Sequence, residues 1–446
     1  MRWDWFGPPS FHDNSAVSIF VLDPHSPNFQ SFVRPSSESD CGCDHDWNNL
    51  APRVGFAWQL SPKTVIRSGF GLFYGEPDAI AHDGDARFYN QVPDFTEINF
   101  PTDRLLQPSL VVSQGFPSGL LPTTVLRENS AIRSANPFVP SQYSAQWFVD
   151  IQRELAASTL LTLSYIGSGT RHLLQDLNVN QPLAPGPGAI KQRSPRPFFS
   201  SVRILDPVNS ADYEAFTAKA EKRYSRGITF LASYTWSHNI DLAEGTYEDG
   251  SLIQNNYDLR RNRGSSVFDR RHQFVASGVY DLPFGAGRTW LNRRGPVDWL
   301  LGGWQLGTIL SLRTGQAFSP QVSTDISNTG TNNRPNRRGD GSLGAEQRSI
   351  QEWFDTGAFT IPDPYTYGNA GRNILIGPRF RNMDVKVGKN FAFTEHKRLE
   401  FRCEMFNFSN TPHFSNPNPN INLPQVGKIT SAGAPRQIQF GLKFVF

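Results

Sequence analysis

Hydrophobic and polar residues alternate along many short segments of the chain, and long polar stretches separate these segments. The last segment, RQIQFGLKFVF, predicts a strand with two unlike faces, because the side chains of a strand point alternately to its two sides. The apolar side consists of Ile438, Phe440, Leu442, Phe444 and Phe446. The polar side consists of Gln437, Gln439, Gly441 and Lys443. Such a strand needs a cover over its apolar side, either a second sheet in a soluble sandwich or lipid around a membrane barrel.

The same alternation recurs along the chain and predicts about twelve strands in all. The segments are RWDWF near the start, 53–60, 64–74, 141–154, 159–167, 213–225, 228–240, 271–284, 302–314, 380–393, 397–408 and the final strand. Apolar rows mark one face of several strands: Val54, Phe56 and Trp58; Ile66, Phe70, Leu72 and Tyr74; Tyr143, Ala145, Trp147, Val149 and Ile151; Ile228, Phe230, Ala232, Tyr234 and Trp236. The pattern predicts an all-β fold.

The connections between these strands fall into two classes that alternate along the chain. Short turns are expected at 61–63, 155–157, 225–227, about 284–296 and 394–397. Long segments rich in Gly, Pro, Asn and Asp are expected at about 7–52, 75–140, 169–210, 239–269, 315–378 and 410–434. Counted back from Phe446, every long segment falls at the end of the sheet opposite the chain terminus. Short turns at one end and long loops at the other are typical of outer-membrane β-barrels.

A barrel also explains the two-faced strands. Lipid covers the apolar faces, closure removes exposed strand edges, and every backbone polar group can pair within the wall. Aromatic residues at strand ends suit the membrane interfaces; they include Trp58, Tyr74, Tyr165, Trp236 and Tyr280. The alternative is a soluble propeller or multi-sandwich protein, but the chain lacks the repeat of about 40 to 50 residues that a propeller shows. We therefore expect an all-β, antiparallel transmembrane β-barrel in the cell outer membrane, with lipid as its main contact.

Composition agrees with this fold class and argues against several others. Hydrophobic residues make up only 38% of the 446 residues, whereas aromatic residues reach 13%, with 37 Gly and 33 Pro. This mixture favours strands and turns. No stretch approaches the roughly 20 apolar residues of a membrane-spanning helix. The net charge of +3 is small and dispersed, so nucleic-acid binding is not expected. The 3 cysteines do not make a disulfide framework.

Candidate chemistry along the chain is sparse. No nucleophile elbow, phosphate-binding loop or zinc-protease motif is present, so neither an enzyme nor a cofactor is predicted. The segment CGCDHDW at 41–47 lacks the ligand spacing of a zinc site, and we interpret it as a polar loop. The Arg-Gly-Asp tripeptide at 338–340 is interpreted as part of a structured loop. Loop carboxylates such as Asp83 and Asp85 leave a secreted carbohydrate-binding or carbohydrate-degrading protein as the rival hypothesis.

A series of stretches extends over nearly the whole chain. The stretches are NNLAPRVGFAW, TVIRSGFGLFY, SYIGSGTRHL with DLNVNQP, EKRYSRGITFLASYTWSHNI, FDRRHQFVASGVYDLPFGAGR, GGWQLGTILSLRTGQAF, WFDTGAFTIP, GNAGRNILIGPRFRNMD and FRCEMFNFSNTPHFSNPN. Together, and in this order, they resemble the C-terminal part of the barrel of TonB-dependent receptors. The likeness is to the large Oar-like group, which carries a carboxypeptidase-regulatory-like domain at its N-terminus.

The resemblance implies a barrel of about 22 strands, of which residues 1–446 form the C-terminal part. A signal peptide, the regulatory-like domain, a plug and the TonB-contacting segment would precede residue 1, so the chain resembles an N-terminally truncated receptor. The TonB complex would then be contacted only through that preceding part. The implied function is recognition and uptake of a bulky substrate, such as a glycan or siderophore, without a covalent step.

Two sets of residues are candidates for specific contacts. The barrel-assembly machinery is expected to read the last strand by strand pairing at an open edge; the residues concerned are Phe440, Leu442, Phe444 and Phe446. Lumen or rim contacts are expected from Arg271, Arg398, Glu400, Arg402 and Glu404. Together with Asp384 and Lys386, the charges on the later strands alternate in sign, which fits cross-strand pairing. Arg271 fits a salt bridge at the rim, with a substrate or plug contact as the alternative.

Overall fold

The architecture is that of a computed structural model of the chain. The structure describes residues 2–4, 19–20, 32–33, 46–75, 128–129, 131–135, 140–156, 158–243, 253–394 and 397–446. Most of the CGCDHDW segment and the carboxylates Asp83 and Asp85 lie outside these residues. Their interpretation therefore stays a prediction.

Eleven strands form one continuous path within a thirteen-stranded sheet. Every strand on this path pairs antiparallel with its neighbours in sequence. The strands are β1 Arg53–Ser61, β2 Thr64–Gly75, β3 Gln142–Ala156, β4 Thr159–Asn178, β5 Ser201–Ser225, β6 Ile228–Asp241, β7 His272–Asp281, β8 Trp304–Arg313, β9 Phe380–Ala392, β10 Arg398–Phe406 and β11 Gln437–Val445. Two further strands join the sheet at its side, Ala131–Ala135 on β5 and Gly264–Ser265 on β6.

Short elements lie in the connections. The two-stranded pairs are Arg2–Trp3 with Leu50–Ala51, Ile19–Phe20 with Phe32–Val33, Ala317–Phe318 with Leu375–Ile376, and Asn336–Arg337 with Phe359–Thr360. Among the described residues, the helices are α1 Ile190–Arg193 and α2 Pro296–Leu301, with 3-10 turns at Leu259–Asn262 and Thr356–Ala358. Within the described ranges, no helix combines the length and the apolar character needed to cross a bilayer.

The connections alternate between the two ends of the sheet, as expected for consecutive antiparallel strands. At the short-turn end, the connections join β1 to β2, β3 to β4, β5 to β6, β7 to β8, and β9 to β10. At the long-loop end, the connections join β2 to β3, β4 to β5, β6 to β7, β8 to β9, and β10 to β11. The predicted assignment of long segments to one end is confirmed, but the β7–β8 connection at the other end, residues 282–303, is as long as the β4–β5 loop, residues 179–200. Phe446 lies at the short-turn end because β11 runs from the long-loop end toward the short-turn end.

The register of the sheet places the predicted apolar rows on one face, called here the apolar face. Directly paired residues of neighbouring antiparallel strands point to the same side of a sheet. Trp58, Ile66 and Ile151 are such partners in β1, β2 and β3. The row of partners continues as far as Leu312 of β8 and Arg381 of β9. Lys389, on the same side of β9, is the partner of Phe401 in β10, and Phe401 is the partner of Leu442 in β11. One continuous apolar face therefore extends over all eleven strands.

The opposite side, called here the polar face, carries mainly hydroxyl, amide and charged side chains. The hydroxyls of Thr217 and Thr235 lie 3.3 Å apart across β5 and β6. Glu400 of β10 lies opposite Lys443 of β11. A wall with one apolar and one polar face separates two unlike environments.

The described residues of the first predicted strand, 2–4, are not part of the wall. Within them, Arg2–Trp3 pairs with Leu50–Ala51 in a separate two-stranded sheet. The Nε1 of Trp3 donates to the carbonyl of Trp47 at 2.9 Å, and the two rings stack. The expected strand over RWDWF thus differs in its described part, which pairs outside the wall.

β4 and β5 are longer than predicted, which corrects the expected loop at 169–210. The loop occupies only 179–200, because the two strands stay paired as far as Asn178 and Arg203. An ion pair of 2.8 Å joins Arg203 to the buried carboxylate of Asp176 across this extension. Polar residues on both faces remove the hydrophobic alternation there, and so the pattern did not show the strands.

Packing at the long-loop end is close. An apolar cluster of five buried residues supports the β8–β9 loop: Phe318, Phe354, Ala358, Phe359 and Leu375. A second cluster joins the extended strands to the β6–β7 loop through Leu177, Ile204 and Ile253. Buried clusters of this kind give the loops a fixed structure.

Candidate functional site

Six neighbouring strands, β5 to β10, line an open cavity of about 850 Å³. The charged side chains of the polar face that line it include Lys219, Glu221, Asp384, Lys386 and Glu404. Apolar side chains of the same face, Leu231 and Ile309, lie among these charges. The cavity thus offers both charge and apolar area, a mixture found in ligand sites.

The predicted lumen residues of β10 lie together on the polar face. The row consists of Arg398, Glu400, Arg402 and Glu404, and it faces Val445, Lys443, Gly441 and Gln439 of β11. Glu404 also lies opposite Lys386 of β9. Arg398 donates through Nε to the carboxylate of Glu400 at 2.8 Å. Opposite charges thus neighbour one another along and across the strands, as the alternation predicted.

Arg271 lies apart from this row, at the long-loop end next to β7. Its guanidinium is 3.8 Å from the carboxylate of Asp269 and 3.5 Å from Nε2 of His238. Asp269 is buried and accepts the backbone N–H of Asn239 at 2.9 Å. The surroundings of Arg271 are thus a cluster of charged and polar groups at the rim, consistent with the predicted salt bridge.

The four C-terminal residues of the assembly prediction lie on the apolar face of β11. Phe440, Leu442, Phe444 and Phe446 are 69%, 71%, 52% and 90% exposed. The rings of Phe401 and Phe440 lie 6.4 Å apart, and those of Phe393 and Phe444 lie 6.3 Å apart. In the described part of the chain β11 pairs only with β10, so its other edge is open.

A buried amide at the long-loop end joins three loops. Gln181 of the β4–β5 loop is fully buried, and its amide donates to the carbonyl of Gln254 at 3.0 Å and to the hydroxyl of Tyr367 at 3.1 Å. Its Oε1 accepts the backbone N–H of Asn256 at 2.8 Å. These partners belong to the β6–β7 and β8–β9 loops. We call the packed residues of 179–200, 253–271, 314–379 and 407–436 the loop cluster.

Two buried arginines strengthen the loop cluster. Arg372 forms an ion pair with the carboxylate of Asp241 and donates through Nε to the carbonyl of Asn262 at 2.8 Å. Arg334 donates to the Oδ1 of Asn262 at 2.8 Å. Burial lowers the pKa of Arg334 to about 10, with smaller contributions from the nearby charges of Arg372 and Arg261. Sequence reasoning missed these residues, and the only available signal was the density of Asn, Gln and Arg in the expected loops.

The surface of the loop cluster exposes aromatic rings. Phe268 is 69% exposed. Others with a large exposed fraction are Phe198, Tyr257, Tyr365 and Phe408. The Arg-Gly-Asp tripeptide at 338–340 is held within the cluster, since Arg338 N–H donates to the carbonyl of Ala358 at 2.8 Å. Exposed rings on a supported loop surface are suited to stacking on large ligands.

The comparison with protein families decides which environment the two faces meet. Residues 1–439 match the family model described as an outer membrane beta barrel domain. The chain belongs to this family. As a member of the outer membrane beta barrel domain family, it lies in the outer membrane, with lipid against the apolar face, periplasmic short turns and extracellular long loops.

Solved structures with a similar arrangement include outer-membrane proteins of low sequence identity. The outer membrane transporter YddB from Escherichia coli has 8% identity and a TM-score of 0.49, over 91% of this chain and 42% of that one. The ferripyoverdine receptor of Pseudomonas aeruginosa has 9% identity and a TM-score of 0.43, over 90% and 34%. The siderophore receptor PiuA from Acinetobacter baumannii has 7% identity and a TM-score of 0.43, over 88% and 35%.

The chain therefore spans less than half the length of each of these proteins. No curated protein sequence matches it.

Proposed function

We propose that this outer-membrane barrel chain is part of a TonB-dependent receptor that binds a bulky substrate at its extracellular loop cluster and passes it along the polar face. The observation that carries the proposal is a wall with one apolar and one polar face, joined at one end to a packed set of loops. The wall provides passage and the cluster provides a defined binding surface. Recognition needs no covalent step, so the proposed role is not enzymatic.

The dimensions and the side chains of the site support a bulky substrate with both flat and polar surfaces. The cavity beside the polar face measures about 850 Å³, and it is open to its surroundings. Rings such as Phe268 and Tyr365 on the loop cluster offer flat apolar contacts. Charged and amide groups on the polar face offer hydrogen bonds in competition with water. A glycan or a siderophore combines the flat and polar surfaces that these groups would bind.

The TonB dependence rests on the sequence resemblance and on family membership. Stretches typical of the Oar-like receptors follow one another in order along the wall strands and loops. In the proposal, the signal peptide, the regulatory-like domain, the plug and the TonB-contacting segment belong to sequence outside residues 1–446. The TonB complex would act on this chain through those parts.

The last strand has a proposed role in assembly. β11 ends at Val445, Phe446 follows it, and the outer edge of the strand is open within the described residues. An open edge can add a strand from a partner by backbone hydrogen bonds. We assign this edge, with its exposed aromatic side chains, to recognition by the barrel-assembly machinery.

The rival hypothesis of a secreted soluble carbohydrate-binding or carbohydrate-degrading protein is less favoured. In a soluble protein nothing would cover the continuous apolar face, and the side chains of Phe440 and Leu442 would be exposed to water. A protein of the outer membrane beta barrel domain family has lipid there.

Binding to intact cells tests the proposal. Two fluorescent probes, a ferric catecholate siderophore and a long maltooligosaccharide, are added to cells that carry the chain in the outer membrane. We expect saturable binding of one probe, with several-fold lower affinity for Phe268→Ala. The affinity should be unchanged for Phe393→Ala, which removes an exposed phenylalanine ring at the periplasmic end. Binding of neither probe above cells without the protein would contradict recognition of these substrate classes at the loop cluster.

A further inference from the structure

The β7–β8 connection differs from the other periplasmic turns. This turn segment, residues 282–303, contains α2 and exposes several large apolar side chains. Trp290, Trp299 and Leu300 are 58%, 55% and 61% exposed. Exposed apolar groups gathered in one place indicate a surface that another phase or molecule covers.

α2 is fixed against the apolar face of the wall. The Nζ of Lys389 donates to the carbonyl of Gly302 at 2.6 Å and to that of Leu300 at 3.1 Å. Lys389 is 3% exposed and is the direct partner of Trp304 in the sheet. The ring of Trp299 lies 5.2 Å from the ring of Phe391 on the same face. The helix therefore continues the surface that faces lipid.

Positive charges border the apolar part of the turn segment. Arg293 and Arg294 are exposed and lie directly before α2. Arg288 is 3.6 Å from the carboxylate of Asp281, so this arginine is paired within the protein. Short segments with exposed Trp and Leu next to arginines are typical of elements that lie in the plane of a membrane interface.

We propose that the turn segment is an interfacial anchor in the periplasmic leaflet of the outer membrane. Trp290, Trp299 and Leu300 enter the boundary between headgroups and acyl chains, and Arg293 and Arg294 bind phosphates of anionic phospholipids. The occupant is lipid because the segment is continuous with the lipid-facing wall and because its charge complements phosphate. This inference rests on the membership in the outer-membrane family and does not depend on the proposed transport.

Quenching by brominated lipids tests the anchor. The 446-residue chain, with its 3 cysteines replaced by alanine, receives one new cysteine for an environment-sensitive dye. The positions are Leu300→Cys in the turn segment, Leu442→Cys on the apolar face and Lys443→Cys on the polar face. Only protein whose migration in a gel changes on boiling is measured, in vesicles of phosphatidylcholine brominated near the glycerol end of the acyl chains.

We expect the Leu300→Cys label to be quenched at least about two-fold more than the Lys443→Cys label, and comparably with the Leu442→Cys label. Equal, weak quenching at Leu300→Cys and Lys443→Cys, with strong quenching at Leu442→Cys, would overturn the anchor. So would a Leu300→Cys label that is shielded from water but not quenched, since a protein or a second copy of the chain would then cover it.

Lipid charge provides the second arm of the test. Adding roughly one-third phosphatidylglycerol is expected to increase quenching of the Leu300→Cys label about two-fold. The pair Arg293→Gln with Arg294→Gln removes this increase, whereas the matched pair Arg260→Gln with Arg261→Gln at the extracellular end keeps it. An increase of the same size in both double variants would contradict the phosphate contact.

Discussion

Arg372 and Asp241 form a buried ion pair that joins the β8–β9 loop to the end of β6. Their side chains are only 2% and 8% exposed. The same guanidinium donates to the backbone carbonyl of Asp241 at 2.7 Å and to that of Asn262 at 2.8 Å. Because several acceptors converge on one cation, the pair fixes the relative position of two extracellular loops.

Replacement of one partner should open the loop cluster. Arg372→Met leaves the carboxylate of Asp241 buried without its cation, and we expect a loss of about 3 to 5 kcal/mol in the free energy of unfolding of the cluster. Proteolysis during a short pulse, over a series of urea concentrations with the barrel in detergent, measures this free energy.

Arg261→Met is the matched control for the buried pair. Arg261 pairs with Asp258 at 3.0 Å, but its side chain is 68% exposed. An exposed pair contributes at most about 1 kcal/mol. Equal losses for Arg372→Met and Arg261→Met would show that burial does not determine the importance of the Arg372–Asp241 pair.

The assignment of faces predicts opposite results for two arginine substitutions in β11. Leu442→Arg places a charge on the apolar face, and we expect it to weaken insertion by about 2 to 4 kcal/mol at mid-membrane depth. Gln439→Arg lies on the polar face opposite Glu404 and should insert like the parent chain. The fraction that shows heat-modifiable migration in outer-membrane preparations gives the comparison. Normal insertion of Leu442→Arg with failure of Gln439→Arg would reverse the assignment.

Tyr257 makes the loop cluster sensitive to alkaline pH. Its hydroxyl donates to the carbonyl of Gln181 at 2.7 Å, and burial raises its pKa above the ordinary 10.0. The folded cluster therefore keeps a proton that the unfolded chain loses, so stability is complete below pH 10.0 and falls as the pH rises above it. Tyr257→Phe should cost about 1 kcal/mol at neutral pH and reduce this alkaline loss. Urea-pulse proteolysis at neutral and alkaline pH checks both effects, and an unchanged alkaline loss in Tyr257→Phe would assign the titration to another group.

Gly368 allows two segments of the β8–β9 loop to pass closely. A Cβ at this position would meet the backbone carbonyls of Arg334 and Pro335. Because backbone atoms cannot move aside as a side chain can, we expect Gly368→Ala to cost about 1 to 3 kcal/mol in the stability of the loop cluster. Gly55→Ala in β1 is the control, since its nearest neighbour would be 4.0 Å away. Equal effects of the two substitutions on loop proteolysis would rule out the close approach as the cause.

The wall could be predicted from the sequence because its signal is local. In β11 and β6, alternation alone gave the strand and its facing, and the register confirms Leu442 and Tyr234 on the same face. The limit appears where β4 and β5 extend beyond the alternating part. There, Asp176 and Arg203 hold the strands by an ion pair that no period-two pattern reveals.

The loop cluster could not be predicted because its contacts join distant positions. Gln181 bonds with Gln254 and Tyr367, and glutamine is a residue type that usually remains exposed. The turn segment was expected to be a plain turn at about 284–296, yet it contains α2. A helix of six residues is too short to give a periodic signal in the sequence. In addition, Lys389 of β9, distant in sequence, stabilises the end of the helix.

Membrane retention together with heat-modifiable migration tests the central claim most directly. Outer-membrane fractions of cells that carry the 446-residue chain are washed with alkaline carbonate and run on a detergent gel, boiled and unboiled. A folded barrel wall predicts a band that stays with the membrane after the wash and migrates differently once boiled. A chain that the wash releases, and that migrates identically with and without boiling, would contradict an integral outer-membrane barrel.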